Sequence, residues 1–485
     1  MDAATTVFRM NCPERPFRVP RPRMVIAGTH SGAGKTSVVT ATLAAMRARG
    51  VPVYPFKTGP DYIDPAFHAH VTGTVSRNLD SWLLDAAVLR GLFTRNSGEE
   101  GIAVIEGVMG LFDGKGSGHV GSTAHVAEVL DAPVVLVLNA QGLSRSAAAM
   151  VAGYASFHPG TRVCGVIANR VKSPRQYALI RESVEADCGI PCLGYLPENP
   201  AFVLRSRHLG LVPASEVAAL DAVVSALEEA AAATIDLDAL VAIARSAPLA
   251  QRGALPAMIP GPVSSPDIPF PVRIGVARDA AFSFYYQDNF DLLTAMGAEL
   301  VFFSPVHDAA LPEALHGLYL GGGFPEVFAA DLAANPSMRL SVRTALAGGM
   351  PAYAECGGMA YLCASLTDGG GTSYSMAGFF QSRVEMTGKL QPFGYAEVEF
   401  TRDTILGPAG TRVRTHEFHY SRLVPENGET ADALTIRKDG APSWNGGLAK
   451  GNVLAAYPHM HFYTAPALAR SFLERCAAFK KGRAT

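Results

Sequence analysis

The sequence has few cysteines, no excess of charge of one sign and no long apolar run. Its seven cysteines are scattered and never spaced C-x-x-C, which argues against a disulfide framework and against a zinc site. Lys and Arg total 41 against 43 Asp and Glu, so the positive field of a nucleic-acid-binding protein is missing. No uncharged apolar run approaches the roughly 18 residues that cross a bilayer. We therefore expect an unexported protein of a reducing cytoplasm that binds small molecules and neither nucleic acid nor membrane.

Short apolar runs alternate with helical patterns from residue 23 onward, and this alternation predicts a parallel, doubly wound α/β sheet. The predicted strands of this sheet are RMVIAG (23–28), VPVYPFK (51–57), IAVIEGV (102–108), PVVLVLN (133–139) and VCGVIANRV (163–171). A second alternation has the predicted strands VRIGVARD (272–279), ELVFFSP (299–305), HGLYLGGG (316–323) and PAYAECGG (351–358). After about residue 372 the pattern is rich in strands until a final helix near 465–480.

A proline-rich segment separates the two alternations. Residues 248–271 contain seven prolines, with Gly and Ser among them and no periodicity, and proline removes backbone donors and favours extended linkers. The predicted domain boundaries are an N-terminal extension at 1–22, a nucleotide-binding domain at 23–247, a linker at 248–271 and a second α/β domain at 272–485. The sequence does not decide between a monomer and a homodimer.

The run GTHSGAGKTS, Gly28–Ser37, lies between a predicted strand and a predicted helix. In that arrangement backbone N–H groups and the helix N-terminus hold phosphates, a lysine adds charge and a threonine hydroxyl ligates Mg²⁺. The first glycine stands one residue earlier than in the common G-x-x-x-x-G-K-[ST] pattern. We expect ATP and Mg²⁺ as cofactors, with the nucleotide held by Gly32, Gly34, Lys35, Thr36 and Ser37.

Polar residues lie at the ends of the neighbouring predicted strands, where ligands of an open α/β sheet gather. Lys57 and Asn169 are expected to contribute to the nucleotide site, and Glu106 to hold Mg²⁺. Acids gathered at one phosphate site repel one another unless cations sit between them, so a purely structural cluster is a poor explanation. The acids in question are Asp61, Asp64, Glu106 and Asp113.

The segment PAYAECGGMAYL places Cys356 between a predicted strand and two glycines. This is the pattern of a nucleophile elbow, in which a sharp turn exposes the side chain and the following helix N-terminus favours the thiolate. The segment AAYPHMHFY offers His459 and His461 as a base, and only one of them is expected to face the thiol. The carboxylate that often follows such a histidine by two positions is missing, so we expect a Cys–His pair without a third member. Backbone N–H groups of Gly322 and Gly323 in LYLGGGFPE would form an oxyanion hole.

Together these motifs resemble the cobyrinic acid a,c-diamide synthase family, over almost the whole chain from residue 23. The similar runs, in order, are AGTHSGAGKTS, FKTGPDYIDPAFH, RNLDSWLL, VIEGVMGLFDG, GVIANRV, RHLGL, ARDAAFSFYYQDN, LYLGGGFPE, AECGGMAYL, HEFHYS and YPHMHF. The resemblance implies a dethiobiotin-synthetase-like ATP domain coupled to a class I-type glutamine amidotransferase domain. A phosphate loop longer by one residue is typical of that ATP-domain group.

The resemblance also implies an activity. The family phosphorylates and then amidates the a and c acetate carboxylates of cobyrinic or hydrogenobyrinic acid, with glutamine as the nitrogen donor, in cobalamin biosynthesis. It implies Cys356 as the nucleophile, His459 as the base in preference to His461, and an internal route for ammonia. The remaining implied roles are ATP binding by Lys35, Thr36 and Lys57, Mg²⁺ binding by Thr36, Asp61 and Glu106, and contact with the acceptor by Tyr62, Asp64, Asp113, Arg207 and His208.

Three other functions stay open at this point. Cobyric acid synthase shares both domains but carries an acidic, glycine-rich run where this chain has NAQGLSRS after Leu138. A nickel-sirohydrochlorin a,c-diamide synthase has the same motifs and performs the same reaction on another tetrapyrrole. A partitioning-type ATPase usually has an additional lysine early in the phosphate loop, where this chain has His30 and Ser31, and such a function would leave Cys356 unused. The metal content of the acceptor and the order of the two amidations are not fixed by the residues.

Overall fold

The N-terminal half of the molecule is built on one seven-stranded sheet. The computed structural model describes residues 18–202, 206–207, 210–211, 220–251, 253, 255, 272–391 and 393–484. The strands of this half are β1 (Arg18–Val19), β2 (Arg23–Gly28), β3 (Val53–Thr58), β4 (Arg77–Leu79), β5 (Ile102–Gly110), β6 (Val134–Asn139), β7 (Val163–Val171), β8 (Cys192–Pro197), β9 (Ser206–Arg207), β10 (Gly210–Leu211) and β11 (Ala250–Gln251). The helices are α1 (Lys35–Ala48), α2 (Ile63–Thr72), α3 (Ala86–Asn96), α4 (Thr123–Val129), α5 (Ser146–Ser156), α6 (Pro174–Cys188), α7 (Leu220–Thr234) and α8 (Leu237–Arg245).

The large sheet has the strand order β4-β3-β5-β2-β6-β7-β8, and each pairing in it is parallel. Its central strands are continuous apolar runs because helices cover both faces; all of β2 and the first five residues of β6 are buried. The strand order changes direction at β2, which lies between β5 and β6. Ligands of such sheets bind at the carboxyl ends of the strands beside this point, and the loop from β2 to α1 begins there.

The described part of the C-terminal half contains a second, mostly parallel sheet and three further sheets, one of them the two-stranded sheet β13-β16. Its strands are β12 (Val272–Ala277), β13 (Phe282–Phe284), β14 (Ala298–Phe303), β15 (Gly317–Leu320), β16 (Gly322–Gly323), β17 (Ala352–Glu355), β18 (Ser365–Thr367), β19 (Ser373–Ser375), β20 (Arg383–Met386), β21 (Gly394–Phe400), β22 (Arg412–Glu417), β23 (Ser421–Val424), β24 (Leu434–Arg437), β25 (Trp444–Gly446), β26 (Leu448–Lys450), β27 (Val453–Ala456) and β28 (His459–Met460). The helices are α9 (Gln287–Ala295), α10 (Ala329–Ala333), α11 (Pro336–Ala347), α12 (Gly357–Leu362) and α13 (Pro466–Ala484).

The second parallel sheet has the order β14-β12-β15-β17-β27-β26, with only the edge strand β26 antiparallel. An antiparallel sheet, β25-β24-β21-β22-β28, and a mixed sheet, β19-β18-β20-β23, account for the strand-rich pattern after residue 372. The predicted strand 316–323 is divided into β15 and β16. The chain leaves the parallel sheet after Leu320, and β16 pairs instead with β13.

The two halves contact each other directly through charged and aromatic side chains. Arg77 of the N-terminal half lies 2.6 Å from a carboxylate oxygen of Asp288 and 2.6 Å from one of Asp291. The Tyr395 hydroxyl donates to Asp80 at 2.8 Å, and its ring lies 4.7 Å from that of Trp82. These contacts hold the carboxyl ends of the N-terminal sheet against the C-terminal half.

The first described residues of the chain contact the start of the predicted linker. Strand β1 pairs with β11, and the buried guanidinium of Arg23 donates to the carbonyl oxygens of Leu130 at 2.6 Å and Pro248 at 2.8 Å. Most of the predicted linker, residues 252, 254 and 256–271, lies outside the described residues, as do residues 1–17 of the predicted extension. None of the helices in the described part of the chain combines the length and the apolar character needed to span a membrane.

Candidate active site

The phosphate loop leads from β2 into α1, as its sequence predicts. Gly34 caps α1 with φ of 89°, a backbone conformation that favours glycine. A Cβ at Gly34 would lie 1.8 Å from Nδ2 of Asn169, and this amide nitrogen donates to the carbonyl of Ala33 at 3.0 Å. Asn169 therefore fixes the loop from the end of β7, and a side chain at position 34 would displace it.

The first turn of α1 faces Glu106 on β5. The Thr36 hydroxyl donates to Oε1 of Glu106 at 2.8 Å, and the ammonium of Lys35 donates to the carbonyl of Met109. Hydroxyl and carboxylate oxygens are the donors that Mg²⁺ prefers, so Thr36 and Glu106 fit a nucleotide-bound Mg²⁺ at this helix N-terminus. Burial, and then the neighbouring Lys57 charge, lower the pKa of Lys35 to about 8.

Three predicted acids surround the ammonium of Lys57, which is 3% exposed. The Nζ atom contacts Oδ2 of Asp64, lies 3.3 Å from Oε1 of Glu106 and 3.7 Å from Oδ2 of Asp61. It also donates to the carbonyl of Gly107 at 3.1 Å. Lys57 is thus the cation that allows these carboxylates to lie together.

The charges in this cluster shift one another's ionisation. Burial alone would lower the pKa of Lys57, but Asp64, Glu106 and Asp61 raise it above its ordinary value. Burial opposes ionisation of Glu106, yet Lys57 and His68 hold the pKa of this carboxyl well below its usual range. Burial and the two neighbouring acids raise the pKa of Asp64. The ionised form is therefore favoured at Glu106 and disfavoured at Asp64.

His68 is a member of this cluster that the sequence analysis did not assign. Its Nε2 lies 2.6 Å from Oε2 of Glu106, and its Nδ1 lies 3.0 Å from Oγ of Ser76. His68 follows Asp64 by four residues on α2, and residues at this spacing share a helix face. That spacing is the signal by which the sequence could have identified it.

A groove of about 680 Å³ runs from the phosphate loop toward β8. Its lining includes Lys35, Thr36 and Asn169, together with Arg170 and Phe202. The groove lies next to the first turn of α1, where a nucleotide bound by the loop would extend. It provides an apolar surface at Phe202 and a positive charge at Arg170 that the sequence analysis did not assign.

Cys356 lies in a sharp turn between β17 and α12. Its φ of 46° and ψ of −100° are strained for a residue with a side chain, and the residue is the N-cap of α12. Its backbone N–H donates to the carbonyl of Ala456 at 2.7 Å. The predicted elbow geometry is therefore present, with the thiol at a helix N-terminus.

His459 is buried beside this turn and next to a carboxylate. Its Nδ1 lies 3.4 Å from Oε2 of Glu355. Burial alone would lower the pKa of His459, but Cys356 and Glu355 together raise it to about 10. The predicted Cys–His pair therefore has an acidic neighbour, Glu355, which lies on the adjacent strand and not two residues after His459.

His461 lies in a different environment. Its Nδ1 accepts a hydrogen bond from the backbone N–H of Tyr463 at 3.3 Å, its Nε2 lies 3.9 Å from Asp288, and its ring lies 4.7 Å from that of Tyr286. Burial lowers the pKa of His461 to about 3. The two histidines thus differ in both position and charge, and His459 is the one that faces Cys356.

The two predicted oxyanion glycines form strand β16 and lie beside the catalytic pair. A Cβ at Gly322 would lie 2.6 Å from Cε1 of His459, so glycine is required for this close approach. A Cβ at Gly357 would lie 3.1 Å from the backbone nitrogen of Gly323. The Gly323 nitrogen is therefore close to the turn that carries Cys356. The segment is paired with β13.

A mainly apolar cavity of about 540 Å³ lies between the two halves. The N-terminal half contributes Asp61, Tyr62 and Lys115, and the C-terminal half contributes His459 and Phe418. Further apolar and basic lining residues are Val108, Met109, Phe284, Phe393, Tyr395, His416 and Lys438. A smaller cavity of about 30 Å³ is lined by Cys356 and also by Phe418, so Phe418 borders both cavities.

The structure does not bring every predicted residue to this cavity. Asp113 is exposed, and its carboxylate accepts a hydrogen bond from the backbone N–H of Gly110 at 2.8 Å. Arg207 belongs to the short strand β9, which pairs with β10, but its side chain is outside the described part of the structure. His208 lies outside the described residues altogether.

Each half of the chain matches a known protein family. Residues 24–211 match a CobQ/CobB/MinD/ParA nucleotide binding domain, and residues 273–467 match a CobB/CobQ-like glutamine amidotransferase domain. A cobyrinate a,c-diamide synthase of Listeria monocytogenes serotype 4b (strain F2365) is 45% identical over 445 residues, which are 91% of this chain and 96% of that protein. One from Methanosarcina barkeri (strain Fusaro / DSM 804) is 40% identical over 485 residues, covering 95% of this chain and 97% of that protein.

The chain belongs to the cobyrinate a,c-diamide synthase family. The predicted family and the predicted fold class are thereby confirmed, with a nucleotide-binding P-loop domain followed by a glutamine amidotransferase domain. Family members are enzymes of the glutamine amidotransferase class. Among solved structures, PurLQS from Thermotoga maritima gives a TM-score of 0.32 at 17% identity and covers 42% of this chain and 98% of that chain.

Family membership gives the halves of the site their names. We call the N-terminal half the nucleotide-binding half and the C-terminal half the amidotransferase half. The residues that sequence reasoning missed in this cobyrinate a,c-diamide synthase family member are those brought together by folding. They are His68 and Glu355 beside predicted residues, and Phe393, Tyr395, His416, Phe418 and Lys438 in the cavity between the halves.

Proposed function

We propose that the protein amidates the a and c acetate carboxylates of cobyrinic or hydrogenobyrinic acid, with nitrogen from glutamine and energy from ATP, in cobalamin biosynthesis. The observation that carries this proposal is the cavity shared by Asp61 and Tyr62 of one half and His459 of the other. A carboxylate held there is next to both the ATP-binding cluster and the source of ammonia. The names of the similar proteins supply the identity of the acceptor.

In this proposal Cys356 and His459 release ammonia from glutamine. His459 accepts the thiol proton, and the thiolate attacks the side-chain amide carbon of glutamine. The imidazolium returns the proton to the leaving ammonia, and water then hydrolyses the glutamyl thioester. The backbone nitrogen of Gly323, with that of Gly322, is placed to stabilise the negative oxygen during both steps. The position of Cys356 at a helix N-terminus supports this assignment.

The nucleotide-binding half activates the acceptor carboxylate. A carboxylate oxygen is a poor leaving group, and Mg-ATP, when bound, supplies the phosphoryl group that makes it a good one. Lys35, the phosphate loop and Ser37 hold the triphosphate, and Thr36, Glu106 and Asp61 are the residues that would hold Mg²⁺. Lys57 neutralises the acids of the site, Tyr62 borders the acceptor carboxylate, and Asp64 lies behind it, paired with Lys57.

The lining of the shared cavity supports a large, flat and acidic acceptor. Phe393 and Phe418 offer apolar faces, while Lys115, paired with Asp439 at 2.8 Å, and Lys438, 3.3 Å from Glu417, bring ammonium groups to the cavity wall. A tetrapyrrole with several peripheral carboxylates matches this combination of apolar surface and cations. Arg207 and His208 are proposed to pair with further carboxylates of the same acceptor.

The test is to incubate the purified protein with Mg-ATP, glutamine and one of four acceptors, followed by mass spectrometry. The acceptors are cobyrinic acid, hydrogenobyrinic acid, nickel-sirohydrochlorin and cobyrinic acid a,c-diamide. We expect two amidations of the first or the second, with matching release of ADP and glutamate. Amidation of nickel-sirohydrochlorin instead would assign the protein to the nickel tetrapyrrole, and further amidation of the diamide would make it a cobyric acid synthase.

A further inference from the structure

Glu355 occupies a position that the sequence does not associate with the active site. It ends β17 immediately before Cys356, and β17 pairs in parallel with β27, where Glu355 is opposite Ala456. Three residues after Ala456 the chain reaches His459. The register of two neighbouring strands therefore brings the Glu355 carboxylate to within 3.4 Å of Nδ1 of His459, with both side chains almost fully buried.

The other contacts of Glu355 fix the direction of its carboxylate. Oε1 accepts hydrogen bonds from the Tyr353 hydroxyl at 2.7 Å and from the backbone N–H of Met460 at 2.9 Å. Oε2 accepts one from the Tyr319 hydroxyl at 3.3 Å. These donors leave Oε2 directed at the imidazole, so the carboxylate is held in place before any ligand binds.

Charge gives the second reason to connect the two residues. Within the described part of the chain, His459 is the ion-pair partner of Glu355, and the remaining contacts are with neutral donors. A buried carboxylate without a cation is costly. Protonation of His459 supplies that cation, so the carboxylate and the imidazolium stabilise each other.

The position two residues after His459 cannot supply this carboxylate, since His461 occupies it. The nearest acid to His461 is Asp288, at 3.9 Å, and Asp288 is bound to Arg77 at 2.6 Å. We infer that Glu355 is the positioning residue that orients His459 and stabilises its imidazolium, in place of an acid two residues after the histidine. This inference rests on the proposed glutaminase activity and adds a residue to it.

Glu355 itself exchanges no proton in this scheme. The thiol proton moves from Sγ of Cys356 to His459, the sulfur forms a bond to the amide carbon, and the proton then leaves with ammonia when the C–N bond breaks. Glu355 keeps Nδ1–H of His459 in place. Replacement of its carboxylate by an amide should therefore make the imidazolium less stable, so that the Cys356 thiol loses its proton only at higher pH.

The test compares Glu355→Gln with the wild type in two assays. For glutamine hydrolysis, kcat should fall by about 10²-fold or more, with KM for glutamine changed by only a few-fold. For alkylation of Cys356 by iodoacetamide, the pH at half-maximal rate should rise by about one unit or more. Glu355→Asp, which keeps the charge but shortens the side chain, should lie between the two proteins in both assays.

Controls separate this role from a structural one. Synthesis with ammonium chloride should be unchanged in Glu355→Gln, because this assay bypasses Cys356. Glu429→Gln removes another carboxylate of the same half, bound to Ser382 at 2.8 Å, and should match the wild type throughout. Wild-type kcat and an unshifted alkylation profile in Glu355→Gln would overturn the inference. If that variant does not fold, an unshifted alkylation profile in Glu355→Asp overturns it equally.

A different result would contradict the proposed function itself. If the wild type itself releases no glutamate from glutamine, the glutaminase assignment is wrong, whatever the Glu355 variants do. If the wild type hydrolyses glutamine and the Glu355 variants behave like it, only the role of Glu355 is lost.

Discussion

The ring of Tyr62, in the nucleotide-binding half, lies 5.2 Å from the ring of His459, in the amidotransferase half. Tyr62 is flanked by Asp61 and precedes Ile63 and Asp64 at the start of α2. Its ring also packs against Phe284 at 5.2 Å and Tyr286 at 4.9 Å. One side chain therefore contacts His459, the proposed base, and directly follows Asp61, a proposed Mg²⁺ ligand.

This contact predicts that Tyr62 couples the two reactions. Tyr62→Ala should open the contact between the halves, so that ammonia escapes and glutamine-dependent synthesis falls about tenfold or more relative to ammonium-dependent synthesis. Tyr62→Phe keeps the ring and should behave nearly as the wild type. The measurement is the ratio of amide formed to glutamate released. An unchanged ratio in Tyr62→Ala would show that the ring does not seal the route.

The two histidines of YPHMHF predict different phenotypes. His459→Ala should reduce glutamine hydrolysis by about 10³-fold or more, because the Cys356 thiol loses its proton acceptor. His461→Ala should keep a substantial part, since His461 is held neutral by burial and contacts Tyr286 and Asp288. Glutamate release by each purified variant decides the matter, with ammonium-dependent synthesis as the check on folding. Equal losses would leave the base unassigned, and the reverse order would assign it to His461.

The predictable part of the fold follows from local patterns. Continuous apolar runs such as Arg23–Gly28 are buried on both faces of a parallel sheet, and the strand, loop and Lys-Thr of the phosphate loop are contiguous in sequence. The elbow at Cys356 is equally local, since two glycines follow it directly. In each case a few neighbouring residues determine the geometry.

The part that was missed depends on contacts between distant segments. Glu355 meets His459 because β17 and β27 pair, about 100 residues apart in sequence, and no local pattern specifies that register. Phe393 and Phe418 belong to the strand-rich region, whose aromatic residues are as consistent with an ordinary core as with a cavity wall. His68 is an intermediate case, since its helical spacing from Asp64 was visible but its contact with Glu106 was not.

We expect that loss of the Glu106 carboxylate impairs only the reaction of the nucleotide-binding half. Glu106→Gln keeps the shape of the side chain and can still accept a hydrogen bond from Thr36, but it removes the charge that pairs with Lys57 and would bind Mg²⁺. Amide synthesis with either nitrogen source should fall by about 10²–10³-fold. Glutamine hydrolysis should persist, because Cys356 and His459 do not contact Glu106. ADP release at the wild-type rate by this variant would contradict the assignment.

The division of the chemistry between two sites is the central claim, and Cys356→Ser tests it most directly. A serine hydroxyl has a pKa far above that of a thiol, so His459 should not activate it, and glutamine-dependent synthesis should fall by several orders of magnitude. The phosphate loop and Glu106 do not depend on the sulfur. The measurement is diamide formation by this one variant with glutamine and, in parallel, with high ammonium chloride at mildly alkaline pH. The account predicts almost no product with glutamine and near wild-type product with ammonium, whereas failure of ammonium to restore synthesis in a variant that still binds ATP would contradict it.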